Sequence, residues 1–272
     1  MGVAKEQHIV MLPLMPQCHL IPFLALANQI TQRFPFKITI VTTPLNLRYL
    51  QTAASNHSPQ IHFSELPLNA ADHGLPPKTE NTDALPLNPE KCLEWLDSHS
   101  ENSVVYISFG SQNTVSQHQM MALALGLEDS GRPFIWSIRP PTGFNSRDEF
   151  KPEWLPEGFE ERGQGLVVRS WAPQLEIFCH RSTGAFVSHC GWNSVVESLS
   201  QGVPIIGWPL AAEQGYNAKM LVEEMGVCVE MTRGVESQIS REDVKRVIEE
   251  VMDGGSKAVE MRKKAVAVGE LI

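Results

Sequence analysis

The densest set of chemistry-bearing residues is Ser188-His189-Cys190-Gly191-Trp192-Asn193-Ser194, with Glu197 three positions further on. It falls where an apolar run ends and a helical pattern begins, and its composition suits a phosphate. Gly191 lets a backbone approach closely, Asn193 and Ser194 open a helix beside its positive dipole end, and His189 can donate to a phosphate oxygen. Glu197 lies four residues after Asn193, so it shares that helix face one turn deeper, where a carboxylate can accept from ribose hydroxyls. Taken alone, the turn reads about equally well as a capped helix with a solvated Glu197.

Two further clusters stand at strand ends: Trp171-Ala172-Pro173-Gln174, and Trp208-Pro209 followed by Glu213-Gln214. Trp171 can stack on a planar base while Gln174 and the Ala172 backbone read its edge, and Glu213 and Gln214 offer the acceptors a polyhydroxylated sugar needs. The plainer reading makes both tryptophans core packing. Ser111, in Phe109-Gly110-Ser111, places a small hydroxyl where it can touch a phosphate. His19, in Pro16-Gln17-Cys18-His19, falls between the first strand and the first helix, a loop position facing a cleft, where a histidine can act as a general base near neutral pH. For a lone histidine, a satisfied polar group is the stronger alternative.

The elements that must position these residues follow from periodicity. Residues 8–15, 37–43 and 61–68 read as strands, and 20–34 and 46–54 as helices, which makes a parallel βα start. Residues 69–89 collect Pro, Asn, Asp and Gly and read as a linker. Beyond it, strands at 104–109, 134–138, 166–170, 184–188, 204–208 and 227–231 alternate with helices at 118–127, 174–179, 193–200, 214–225 and 241–252. A last helix spans 256–272, and Ser240 with Asp243 forms a capping box for the helix before it. Such alternation predicts right-handed crossovers and a doubly wound parallel sheet, whose ligands sit beyond the C-terminal strand ends.

Composition narrows the function further. The chain has 272 residues, 42 % hydrophobic, enough for two domains or one large α/β domain. With 22 Lys and Arg against 31 Asp and Glu, the formal charge of −9 repels a polyphosphate backbone, so nucleic acid is not an expected partner. No apolar stretch approaches a membrane span, and the N-terminus lacks a signal-peptide pattern, so a cytoplasmic location is expected. Cys18, Cys92, Cys179, Cys190 and Cys228 are scattered without a CxxC, which predicts reduced thiols and no metal site. Gly163-Gln164-Gly165 precedes a strand instead of following one, which argues against a nicotinamide dehydrogenase.

Together the clusters resemble the plant family-1 UDP-glycosyltransferases, whose signature box runs here unbroken from Trp171 to Gln214. The resemblance implies an α/β GT-B-like fold: two Rossmann-like parallel-sheet domains, the N-terminal one (1–83) a severely truncated remnant for the acceptor, the C-terminal one (84–272) for the UDP-sugar. It implies that Trp171 stacks on uracil, Ala172 and Gln174 bind its edge, and Glu197 holds the ribose. His189, Gly191, Asn193, Ser194 and Ser111 then hold the diphosphate, while Trp192, Glu213 and Gln214 contact the sugar, glucose by the final glutamine. His19 matches the family's general base. The implied reaction is inverting transfer from UDP-glucose, a co-substrate, to a hydroxyl of a small lipophilic plant metabolite, with no metal or other cofactor.

The chain also departs from the family. Members run to nearly twice this length, and here residues 72–83 pass almost directly into the start of the C-terminal domain at 88–97. No residue matches the aspartate that orients the catalytic histidine, and Cys18 replaces the glycine before it. The alternative is therefore a non-catalytic UDP-sugar-binding or interaction protein, arising by internal deletion or splicing and able to associate with full-length relatives. Three N-terminal strands also predict an exposed sheet edge and an uncovered face.

Overall fold

The computed structural model describes residues 7–13, 17–53, 58–68, 89–110, 113–144, 149–169 and 172–272. Its contacts divide the chain into two units, Met1–Leu85 and Pro86–Ile272.

In the first unit, β1 (His8–Met11), β2 (Lys37–Thr42) and β3 (Ile61–Glu65) pair in parallel in that order, with α1 (Gln17–Arg33) and α2 (Pro44–Ala53) between them in the chain. Ile38 and Ile40 alternate onto one face of β2 and pack with Met11, Leu20, Leu24, Leu50 and Ile61 into a small core. Val10, between core residues of β1, faces the other way and is 55 % exposed. The first strand stops at Met11, short of the expected stretch, whose residues 14 and 15 lie outside the described residues. α1 begins at Gln17, so His19 stands in the first helical turn and not in a loop. Gln17-Cys18-His19 adds nothing to the apolar stripe that starts at Leu20, which is why the period pointed there. The linker reading of 69–89 falls almost wholly outside the described residues.

The second unit carries a six-stranded, all-parallel sheet: β4 (Val104–Ser108), β5 (Phe134–Ile138), β6 (Gly165–Arg169), β7 (Thr183–Ser188), β8 (Ile205–Gly207) and β9 (Cys228–Glu230). Their spatial order is β6-β5-β4-β7-β8-β9. The helices are α3 (Pro89–Asp97), α4 (Gln117–Ser130), α5 (Gln174–Cys179), α6 (Trp192–Ser200), α7 (Gln214–Met220), α8 (Arg241–Met252) and α9 (Ser256–Gly269). Successive residues of β4 point to opposite faces. Val105 and Ile107 pack in one core with Leu123 of α4 and Val244 and Ile248 of α8. Val104 and Tyr106 pack in the other with Leu96 of α3, Ile177 of α5 and Leu199 of α6. Both faces of the sheet are covered, which is why its strands read as continuous apolar runs.

Ser240 and Asp243 make the expected capping box, and Ser116 with Gln119 makes a second one at α4 that the sequence reading passed over. The helix expected over 214–225 changes character: its last turn, Leu221–Met225, is a π-turn closed by Gly226 at φ +64. Among the described residues, no helix is long and apolar enough to cross a membrane. The order of the sheet reverses its growth between β4 and β7, the switch point at which sheets of this class form a crevice beyond the strands' C-terminal ends.

Candidate functional site

The crevice is built from the turns that leave β4 and β7. After Ser188 the chain passes through Cys190 at φ +63 to Gly191, the N-cap of α6. Ser188 Oγ accepts from the Cys190 amide at 3.0 Å, and Asn217 of α7 donates to the Cys190 carbonyl at 2.9 Å, so the left-handed turn is braced from both sides. Gly191 has no side chain with which to cap α6, so the helix presents its first N–H groups uncapped by its own N-cap residue.

His189 is buried, and its ring lies between two glycines. A Cβ at Gly191 would sit 2.4 Å from its Nε2, and one at Gly110, which has φ +75, would sit 2.7 Å away. Burial pulls the His189 pKa down to about 4, with Arg139 acting in the same direction and Glu213 opposing. The imidazole is therefore neutral at pH 7, and its Nδ1 has no partner among the described residues. An unpartnered buried nitrogen beside an uncapped helix start fits an anion with hydrogen-bonding oxygens. Gly191→Ala is expected to push the ring out of this slot, costing about 1–3 kcal/mol of stability by chemical denaturation and weakening any ligand held there.

His189 also sets a pH dependence. Its folded pKa lies below the ordinary 6.5, so the unfolded chain takes up the proton first, and stability falls as pH drops from about 6.5 to about 4. The window corresponds to about 3 kcal/mol. His189→Gln should flatten that part of the stability profile in urea titrations run at successive pH values.

One turn along α6, Glu197 meets residues from two other elements. Gln174, the first residue of α5, donates through Nε2 to Glu197 Oε2 at 2.7 Å and to Ser194 Oγ at 3.1 Å. Tyr106 of β4 donates to Gln174 Oε1 at 3.4 Å. Burial raises the Glu197 pKa and the Gln174 bond opposes that shift. The carboxylate is thus half-buried and held by one amide, with lone pairs left over.

Trp192 is 49 % exposed at the start of α6, and Ala172 is buried. Glu213 is exposed at the start of α7. Gln214 is buried, and its Oε1 accepts from the amides of Leu210 at 3.0 Å and Ala211 at 2.9 Å. Its acceptor therefore closes the loop that presents Glu213, which leaves its amide N–H groups for a ligand. Of the two tryptophan clusters weighed from sequence, Trp208 is core: it is fully buried, edge-on to Phe109 at 5.4 Å. Ser111, Trp171 and the side chain of His19 lie outside the described residues, so the structure brings together His189, Gly191, Asn193, Ser194, Glu197 and Gln174, with Glu213 and Gln214 at the start of α7. The sequence reading missed Tyr106, Asn217, Arg139 and Gly110. Only Gly110 left a signal, as the glycine inside Phe109-Gly110-Ser111.

Strand order and the position of this crevice define a doubly wound α/β protein of the kind whose switch point takes nucleotides. The family described as UDP-glucoronosyl and UDP-glucosyl transferase matches residues 68–265. UDP-glycosyltransferase 92A1 of Arabidopsis thaliana is 47 % identical over 188 residues, 67 % of this chain and 38 % of that protein. UDP-glycosyltransferase 73B3 of the same plant is 42 % identical over 212 residues, 75 % of this chain and 43 % of that one. The chain thus spans well under half the length of these curated relatives. A transferase from Siraitia grosvenorii, solved in complex with UDP, superposes with a TM-score of 0.75 at 23 % identity, over 97 % of this chain and 94 % of that one. The chain belongs to the plant family-1 UDP-glycosyltransferases, a hexosyltransferase family, and its fold is GT-B-like with parallel-sheet α/β units.

Proposed function

We propose that the C-terminal unit binds UDP-glucose at this crevice and that the chain transfers the glucose, with inversion, to a hydroxyl of a small lipophilic plant metabolite. The observation that carries the reading is the cluster that Gln174 forms with Glu197 and Ser194 on the helix that follows the neutral, glycine-bounded His189. Glu197 accepts from the ribose hydroxyls, Gln174 and the Ala172 backbone take the uracil edge, and Trp171 stacks on the base. His189, Asn193, Ser194, Ser111 and the N–H groups opening α6 hold the diphosphate. Trp192, Glu213 and the Gln214 amide meet the sugar.

In the reaction, the acceptor O–H gives its proton to His19 while its oxygen attacks the anomeric carbon. The bond to the β-phosphate oxygen breaks, and UDP leaves with the electron pair. Fixed dipoles at the α6 N-terminus stabilise that charge as it develops, and no metal is needed for it. The N-terminal residues 1–83 serve as the remnant of the acceptor domain, and the protein works in the cytoplasm. The second reading, a UDP-sugar-binding protein without transfer that pairs with full-length relatives, is favoured by one observation. No residue of the sequence matches the family's histidine-orienting aspartate.

Calorimetric titration of UDP-glucose and UDP tests the shared part of both readings. Saturable binding is the expected result, and at 100 times the dissociation constant the ligand adds about 2.7 kcal/mol of stability. Absence of binding rejects both. UDP release in the presence of a panel of phenols and alcohols then separates them.

A further inference from the structure

A cleft of about 630 Å³ opens at the other end of the same sheet, where the strands begin. Its walls are the turn 101–103 that enters β4, the end of α8 and the first three turns of α9. Five- and six-residue strands put it about 15–20 Å from the crevice described above. The volume falls in the range of small-molecule sites.

Its floor is apolar, with Val251, Met252 and Ala258 buried and Val259 and Val266 along the rim. Three cations line it, Arg132, Arg262 and Lys263, against two carboxylates, Glu101 and Asp253, in a protein whose overall charge is −9. Asp253 is spoken for by Arg132. Arg262 differs from Arg132, Arg162, Arg169, Arg233, Arg241 and Arg246, each of which has a carboxylate partner. It donates only to neutral oxygens, Asn102 Oδ1 and the Gly184 carbonyl, both at 2.9 Å. No carboxylate among the described residues pairs with it, and burial alone shifts its pKa, downward. Two bonds use two of its five N–H donors. The N-cap of α9, Gly255, supplies no side-chain cap, and Gly254 before it lines the cleft. A half-buried guanidinium without a counter-ion, above an apolar floor, is matched by a ligand bearing one negative charge and a hydrocarbon body.

We propose that this cleft binds a small organic monoanion, its carboxylate on Arg262 and its apolar part on Val251, Met252, Ala258 and Val259. The proposal does not depend on the donor reading, because the residues are separate.

Decanoate, below its micellar concentration, is the probe for the intact chain, with 1-decanol as its uncharged counterpart and both titrated in saturating UDP. Decanoate should bind saturably and undisplaced by UDP, and decanol at least about tenfold more weakly. Arg262→Gln should weaken decanoate about tenfold and leave UDP affinity unchanged. Because Arg262 also braces Asn102 and Gly184, the exposed Lys263→Glu is the second variant, expected to weaken decanoate several-fold with the fold intact. Equal binding of acid and alcohol, decanoate binding indifferent to both variants, or no saturable decanoate binding would each overturn the proposal.

Discussion

Replacing Glu197 with alanine is expected to weaken UDP binding about 100-fold or more while the protein stays folded. A hydrogen bond to a charged acceptor contributes roughly 1.5–3 kcal/mol, and the ribose offers two hydroxyls to one carboxylate. Two such bonds amount to about 3–6 kcal/mol, well above the factor of ten per 1.4 kcal/mol that calorimetry resolves. The fold should survive, because Glu197 is half-buried with a carboxylate that burial already disfavours, and Gln174 keeps its bonds to Ser194 and Tyr106. Glu197→Gln is the sharper control. It keeps the shape and removes the charge, so its loss should be smaller, about tenfold. The raised Glu197 pKa gives a sign as well: on acidification the carboxylate is lost earlier than an ordinary glutamate, and UDP affinity falls with it. In Glu197→Gln that acid limb should vanish. If Glu197→Ala binds UDP like the parent chain, the ribose assignment is wrong.

The parts of this site that adjoin one another in the chain were legible without coordinates. The run Ser188 to Glu197 announces a strand, a tight turn and a helix face within ten residues, and the structure keeps that order. The six strands of the larger unit were equally readable, because a sheet covered on both faces writes itself as uninterrupted apolar runs such as Val104–Ser108. What could not be read are contacts between distant positions. Gly110 and Gly191 together bound the His189 ring, and Tyr106, Gln174 and Glu197 form one hydrogen-bonded line from three different elements. Neither arrangement has a local pattern. Trp208 shows the opposite limit: the same residue type at a strand end fits a ligand platform or a core, and its complete burial decides for the core. The start of α1 failed for a related reason, since a polar first turn carries no apolar period. The cleft around Arg262 escaped because its residues come from three separate stretches, none of them motif-like.

His19→Ala is expected to lower glycosyl transfer by about 100- to 10,000-fold, the usual contribution of a positioned base, with UDP binding unchanged. Under the proposed roles the contrast with Glu197 is the point: one residue would carry the donor, the other only the proton of the acceptor. The size of the effect should also depend on the acceptor. A base matters least when the attacking hydroxyl ionises by itself, so transfer to an acidic phenol should suffer less from His19→Ala than transfer to an aliphatic alcohol. Initial rates of UDP release from matched phenol and alcohol acceptors measure this directly. A uniform loss across acceptors would instead mean that His19 shapes the pocket, and an unchanged rate would remove it from the mechanism. The aspartate that the family resemblance places beside the base, and that no residue of the sequence matches, bears on the same comparison. In a histidine–aspartate pair the carboxylate fixes the imidazole's orientation and balances its charge, and losing it costs about 10,000-fold where the effect has been measured. On the proposed mechanism, a chain without that partner is expected to transfer mainly to acceptors that need the base least, so acidic phenols are where activity should appear first.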